Sequence, residues 1–424
     1  MLSSLTLLFL TGVAALSGVA PAADSPLIDD ARLQAAGMYR YWQARLPIAR
    51  GDSLLEGHLV DEALYVITDN GSVFALKADV GLIRWAAKLT EPDYRVCPPR
   101  HIRTVNGAGH VVIPTPTKVF IFDRFSGDLA QSFTPGFAAG SAVVAYDDKL
   151  FMGSADGRFY SLKLDYAFAM EPFKRWEVLA GGPVTATPVL YDHNMLLFAS
   201  QSGTVYSCRA ADKTLNWAYR TDGPIMGDPV VDESGVYVAS MDRSLYKLHP
   251  TSGMVMWRAR LPRPLAGGPV VTAHTVYQYG VGHGISAIDA DTGREKWRSP
   301  NGCEFVAHSR SGDVVFTHDR RLLVVDHDSG EVQYTIDAQA VGKTVPNARN
   351  DAVYLLGPQG RILCARLDSV PYLRRQQVTA ARAQLNRPPP DDVETVRRAQ
   401  RGAAVNEADL TANDPLRSRQ DIRP

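Results

Sequence analysis

The sequence is short of several things, and each shortage narrows the reading. Four cysteines occur among 424 residues, none of them adjacent. They permit only three alternative disulfide sets. Charge of one sign is not in excess either, with 45 Lys and Arg against 45 Asp and Glu. A formal charge of zero excludes a global field that would attract nucleic acid or an anionic membrane surface, so a charged partner would have to be met by a local patch. Only one long hydrophobic run is present, Leu5 to Ala20, and it is too short for a comfortable membrane span. No His or Cys group has metal-ligand spacing. Gly280-Val-Gly282-His-Gly284 has the look of a phosphate-binding loop, but a strand rather than a helix follows. Without a helix N-terminus there is no pyrophosphate cradle.

What is present begins with an export signal. Ala20-Pro-Ala22 follows the apolar run and supplies small residues at cleavage spacing. Residues 1–22 are therefore expected to be a signal peptide and residues 23–37 a short lead, although no Lys or Arg precedes the run. No cysteine follows it, so lipid attachment is not expected. The expected destination is the periplasm or another exported compartment, as a soluble chain without stable membrane insertion after cleavage.

The strongest signal is a repeat. In Ala287-Ile-Asp-Ala-Asp-Thr-Gly293-Arg-Glu-Lys-Trp297 a strand end meets an Asp/Thr/Gly turn, and a tryptophan stands four residues beyond the glycine. Weaker copies end at Trp85, Trp217 and Trp257, while Gln131 and Tyr334 occupy the tryptophan position in two others. Trp217, Trp257 and Trp297 are separated by 40 residues each, the period of a four-stranded propeller blade. Third strands are expected to begin near Gly71, Thr117, Gly157, Gly203, Arg243, Gly284, Arg320 and Gly360, which makes eight. The predicted fold is all-β, an eight-bladed β-propeller of four-stranded antiparallel blades over residues 38–370. Blades share one continuous core, so the length does not imply several domains.

The eighth unit has no tryptophan strand of its own, whereas Met38-Tyr-Arg-Tyr-Trp42-Gln-Ala-Arg lies near the N-terminus without a preceding partner. The N-terminal strand is expected to close the last blade and so remove a free sheet edge. Second strands such as Leu64-Tyr-Val-Ile67 and Val353-Tyr-Leu355 are β-branched or aromatic, and inner strands such as Gly182-Pro-Val-Thr-Ala-Thr-Pro188 carry small residues and prolines. The repeat also separates the cysteines. Cys208 and Cys364 fall on the same strand of opposite units, and Cys97 and Cys303 open inner strands three units apart, so four buried thiols are expected. An insertion between Leu164 and Trp176 marks the third unit, with Phe168 and Met170 as a possible apolar patch. Residues 371–424 are Arg-rich, lack lysine and are broken by Pro388-Pro-Pro390. They read as a mostly disordered tail, in which Asp391 and Asp392 are placed to cap a short helix through Arg398.

Ala287, Asp289, Thr292, Gly293 and Trp297 resemble the tryptophan-docking motif of pyrroloquinoline-quinone-type (PQQ-like, quinoprotein) β-propeller repeats. The resemblance covers about residues 38 to 367 and implies that each outer-strand tryptophan packs over the turn of the next blade. The docking residues so implied are Trp42, Trp85, Trp176, Trp217, Trp257, Trp297 and Gly293. Two branches of that family differ in function. The quinoprotein dehydrogenases bind PQQ and usually calcium at the axis, and many carry adjacent cysteines. Here adjacent cysteines are lacking, and neither a Glu/Asn/Asp calcium set nor a catalytic aspartate can be assigned. No cofactor is therefore expected. The other branch, the BamB-like outer-membrane assembly propellers, is similar in size and layout. It implies a non-catalytic scaffold, monomeric, with a protein partner in the cell envelope. The missing lipid-bearing cysteine and the added tail depart from that pattern. The alternatives are a PQQ-dependent dehydrogenase and a small-ligand or glycan-binding propeller.

Aligning the inner strands by eye puts His58, Arg103, Asp228, His308 and Asn347 at comparable positions, as candidate residues of one mouth of the axial channel. They are expected to be solvated polar groups or ligand contacts, with neither a catalytic role nor a metal assigned. Arg100-His101-Ile-Arg103 is the dense basic cluster inside the repeats. It reads as an ion-pair site, or as an anion site built on bidentate arginine.

Overall fold

A strand sandwiched between two neighbouring sheets must be apolar on both faces, and the second strands are. Ala63–Thr68 and Gly235–Ser240 are buried at every position. Outermost strands touch a neighbour on one face only, and Val255–Arg260 is accordingly exposed at most positions. The computed structural model describes residues 26–89, 95–103, 109–164, 173–192, 194–309, 312–385 and 387. In it the strands form eight four-stranded antiparallel sheets. We number these blades one to eight from Leu54. Seven follow chain order from the innermost to the outermost strand. Blade eight takes Lys343–Val345, Val353–Leu356 and Arg361–Leu367 from the end of the propeller and Met38–Arg45 from its beginning. Trp42 pairs with Cys364 in that closing ladder and is buried.

The core consists of apolar clusters that each straddle two blades. Val66, Leu76 and Trp42, for example, join blades one and eight in a cluster with Tyr354 and Leu356. The lead contributes as well. Helix α1 (Asp30–Ala35) is capped by Asp29, whose carboxylate accepts the N–H of Ala31. Leu27, Ile28 and Leu33 enter the cluster that joins blades seven and eight.

Tryptophan docking is complete at five of the eight junctions. The indole N–H of Trp42, Trp85, Trp217, Trp257 and Trp297 donates to the carbonyl of Ala78, Arg124, Pro250, Ala290 and His327 in the next blade. Each tryptophan packs directly against the turn glycine. At Gly293 φ is +71°, and a β-carbon there would sit 2.7 Å from the Trp257 ring, so the position demands glycine for backbone and for space. The three remaining junctions lack part of the set. Gln131 replaces the indole between blades two and three, and Tyr334 between blades seven and eight. Trp176 is present but meets a turn with Lys213 at φ +58° in place of glycine. Its buried Nε1 has no hydrogen-bond partner among the described residues.

Two expectations need correction. Cys97, Cys208 and Cys364 are buried free thiols, but Cys303 is only half-buried, because it opens the innermost strand of blade seven where packing is thinner. Burial pushes the Cys364 thiol up to about 12 and the Cys97 thiol up to about 11, which keeps both unreactive. Trp176, expected as a docking residue, is the second: it faces Lys213 in place of a turn glycine and its indole N–H docks on no carbonyl among the described residues. Beyond the last blade strand the chain keeps contact with the N-terminal strand. Tyr372 stacks on Tyr39 at 4.2 Å, and helix α2 (Arg375–Ala383) follows. Arg374 N–H donates to the Gln377 side-chain oxygen at 2.8 Å and closes its first turn. Phe168, Met170 and the Asp391–Arg398 segment lie outside the described residues.

Candidate functional site

The five residues expected at one channel mouth do not share a position. His58 sits one residue away from the level of His308, with its Nε2 3.1 Å from Glu56, and this hydrogen bond holds the Glu56 carboxyl below its usual value. Arg103 ends its strand opposite Gly109. Asp228 accepts the N–H of Thr187 at 2.7 Å and stitches blade five to blade four. Asn347 is 1% exposed and faces no opening. Its amide donates to Asn350 Oδ1 and Ala352 O, both at 2.8 Å, and its N–H donates to Val306 O. The alignment failed because inner strands carry β-bulges, between Leu54 and Glu56 and between Phe305 and Ala307, and each bulge shifts the register. The true counterpart of His308, which pairs with Asp313, is His101, which pairs with Val111.

Both histidines meet carboxylates. His101 Nδ1 is 2.8 Å from Asp61 Oδ2, its Nε2 is 2.8 Å from the Tyr65 hydroxyl, and Arg349 reaches the other oxygen of Asp61 at 3.3 Å. The hydrogen bond from His101 is the main reason the Asp61 carboxyl is pulled down to about 2. His101, Asp61 and Arg349 thus partner one another, so the basic segment contributes His101 to an ion-pair site. Arg100 beside it senses Asp228 from the far side of the ring. Burial lowers its guanidinium, and the Asp228 carboxylate opposes the shift.

His308 belongs to a different arrangement. Its Nδ1 lies 2.8 Å from Asp313 Oδ1, and the Nδ1 of His327 lies 3.0 Å from the same oxygen. The two imidazoles are 4.5 Å apart. Asp313 is fully buried, and the Tyr277 hydroxyl of blade six donates to its second oxygen. Burial is the main force pushing the Tyr277 phenol upward, with the Asp313 charge next. His327 Nδ1 approaches Asp313 off-line, so the contact is an ion-pair distance without a hydrogen bond. A cavity of about 470 Å³ opens against both histidines, bounded by Arg349, Asp351, Val370 and Pro371 from blade eight and the chain beyond it.

Neither Asp313 nor His327 was named from sequence, yet a signal existed. The register that pairs Asp313 with Val325 pairs Leu64, Val111, Leu150, Leu196, Val236, Val276 and Val353 with the matching residue of the other blades. Seven blades carry an aliphatic side chain there and the eighth carries a carboxylate.

A second surface feature is apolar. The outermost strand of blade five and the turn before it expose Met254 (70%), Val255 and Met256 (50%), and Leu215 on blade four is exposed at the position equivalent to Val255. Among the described residues no helix is long and apolar enough to cross a membrane.

Comparison with known proteins places these features in context. A family model described as "Outer membrane protein assembly factor BamB" matches residues 173–260 and 244–387, together just over half of the chain. The crystal structure of BamB from Moraxella catarrhalis superposes with a TM-score of 0.62 at 16% identity, covering 79% of this chain and 99% of that one. The crystal structure of the computationally designed Ika8 protein gives a TM-score of 0.59 at 12% identity, over 76% of this chain and 98% of that one. At such identities the superpositions speak for the fold alone. No curated protein matches the sequence.

Proposed function

The chain belongs to the family described as outer membrane protein assembly factor BamB, and from that membership we propose that it is an exported, non-catalytic propeller scaffold that binds a protein of the cell envelope. The observation that carries this reading is the apolar surface of Leu215, Met254, Val255 and Met256, which lies inside the family-matched segment. An outermost blade strand keeps one edge free of backbone partners, so an extended segment of another protein can add to it as a fifth strand. Methionine side chains adapt to whatever apolar groups that segment presents.

The test combines capture with a check for catalysis. A photo-crosslinker placed at Met256 in the intact envelope should trap one predominant protein, and the double variant Leu215→Lys, Met256→Lys should lose it without lowering the thermal midpoint. A crosslinked band that survives the double variant would remove this surface from the reading. Addition of pyrroloquinoline quinone and calcium is expected to leave alcohols and sugars unoxidised in a dye-reduction assay. A bound chromophore with dye reduction would replace the scaffold by a dehydrogenase.

A further inference from the structure

We propose that His308, Asp313 and His327 form a binding site for one divalent transition-metal ion, Zn²⁺ or a close substitute, at the corner between blades six, seven and eight. The inference is independent of the scaffold reading. It starts from a cost. A buried carboxylate is expensive unless paired, and the repeat shows that the propeller has no need of one here, because seven blades place Val or Leu at the position of Asp313. Folding alone therefore does not account for the aspartate.

The donor set suits a borderline-soft cation. Imidazole nitrogens and a carboxylate oxygen bind Zn²⁺ at roughly 2.0–2.2 Å, which places neighbouring donors about 3.0–3.4 Å apart for angles between square and tetrahedral. The two nitrogen-to-oxygen separations here are 2.8 and 3.0 Å, and all three donor atoms lie within 4.8 Å of one another. The two nitrogen-to-oxygen gaps would open by only a few tenths of an ångström to admit the ion. The Nδ1 of His327 is buried and makes no hydrogen bond, as a nitrogen kept for a metal would be.

The supporting shell is built from the docking device itself. Trp297 donates to the carbonyl of His327 at 2.8 Å and so fixes the turn that presents one imidazole. Tyr277, packed between Trp297 and Phe305, donates to the outer oxygen of Asp313 and aims the other at the ion, the usual task of an outer-shell hydrogen bond. Three protein ligands leave a fourth position open, and the 470 Å³ cavity against both histidines gives its occupant room. The second cluster, Asp61, Glu62 and His101, has a single histidine and an exposed aspartate. Both nitrogens of His101 are occupied, and Arg349 already neutralises Asp61.

The test uses the full chain, stripped with chelator and titrated with Co²⁺, then with Zn²⁺ as competitor. The expected result is one Co²⁺ per chain with the intense visible bands of a four- or five-coordinate site, displaced by one equivalent of Zn²⁺. Binding should weaken in acid, since protons compete with the ion for its ligands. Asp313→Val restores the residue type of the sibling blades, so it should still fold, somewhat less stably because the Tyr277 hydroxyl loses its acceptor, while losing metal affinity at least about a hundredfold. The double variant Asp313→Val, Tyr277→Phe removes that orphaned donor and should lose affinity equally. His327→Ala should lose it similarly, and Tyr277→Phe about ten- to a hundredfold. Weak octahedral bands only, or affinity unchanged in both Asp313→Val and His327→Ala, would overturn the site and leave a buried carboxylate between two histidines.

Discussion

The junction between blades five and six and the junction between blades three and four are made from the same repeat, and they differ in two details. In the first, Trp257 lies on Gly293 and donates to Ala290 O at 3.0 Å. In the second, Trp176 faces a turn in which Lys213 holds the left-handed backbone that glycine holds elsewhere. The ring cannot settle onto that turn, and its N–H stays buried without a partner, which costs about 1–3 kcal/mol. The comparison teaches that tryptophan and glycine work as one device. Where either is missing, something else carries the contact. Between blades three and four it is aromatic stacking, Phe159 on Phe198 at 4.0 Å. Between blades seven and eight it is the N-terminal segment, with Leu33 against Ile336 in one cluster and Arg32 paired to Asp337 at 2.9 Å.

That contrast can be broken experimentally. The largest effect is expected from Trp297→Ala, which opens a cavity, frees the turn of His327 and should lower stability by about 3–5 kcal/mol in urea unfolding. Tyr334→Ala at the matching position of the undocked junction is 45% exposed and should stay within about 0.5 kcal/mol. Equal losses in the two variants would deny docking its role. Next comes Gly293→Ala, which combines a φ of +71° with a collision against the indole and should cost about 1–3 kcal/mol. The reverse change, Lys213→Gly, should have the opposite sign and raise stability by up to about 1 kcal/mol, because it relieves φ +58° and lets Trp176 descend. A destabilised Lys213→Gly protein would show that the third junction is finished as it stands.

The smallest effect concerns the ion-pair cluster where blades eight, one and two meet. The Asp61 carboxyl is held at about 2 in the folded chain against about 3.9 when unfolded. A depressed value stabilises the fold above the unfolded value, and that contribution disappears as pH drops from about 4 towards 2. Asp61→Asn should therefore leave stability nearly unchanged only below about pH 2 and reduce it slightly at neutral pH. Solvent screening keeps the difference small. An acid-unfolding profile that coincides with the parent at every pH would remove the pair from the account.

The repeat was legible because docking is written in local spacing. A turn glycine and a tryptophan four residues later are visible in a single line of text, and Trp42 could be assigned to the last blade because its own blade was missing. The candidate site was legible only in part. His308 was singled out, but for a channel mouth shared with Asn347, which is sealed inside the sheet. Its real companions are 5 and 19 residues further along the sequence, on the second strand and the outer turn of the blade, and Tyr277 arrives from the blade before. Bulges in the inner strands had already shifted the levels at which these strands were compared.

Chain chemistry alone thus determined the number of blades, five of the docking pairs and the clasp between the two ends, since each follows from neighbouring residues and a fixed period. Packing of separate blades determined the rest. Asp313 becomes a buried charge between two imidazoles only once the register of three strands and the turn under Trp297 are in place, and no spacing within one repeat encodes a meeting of that kind.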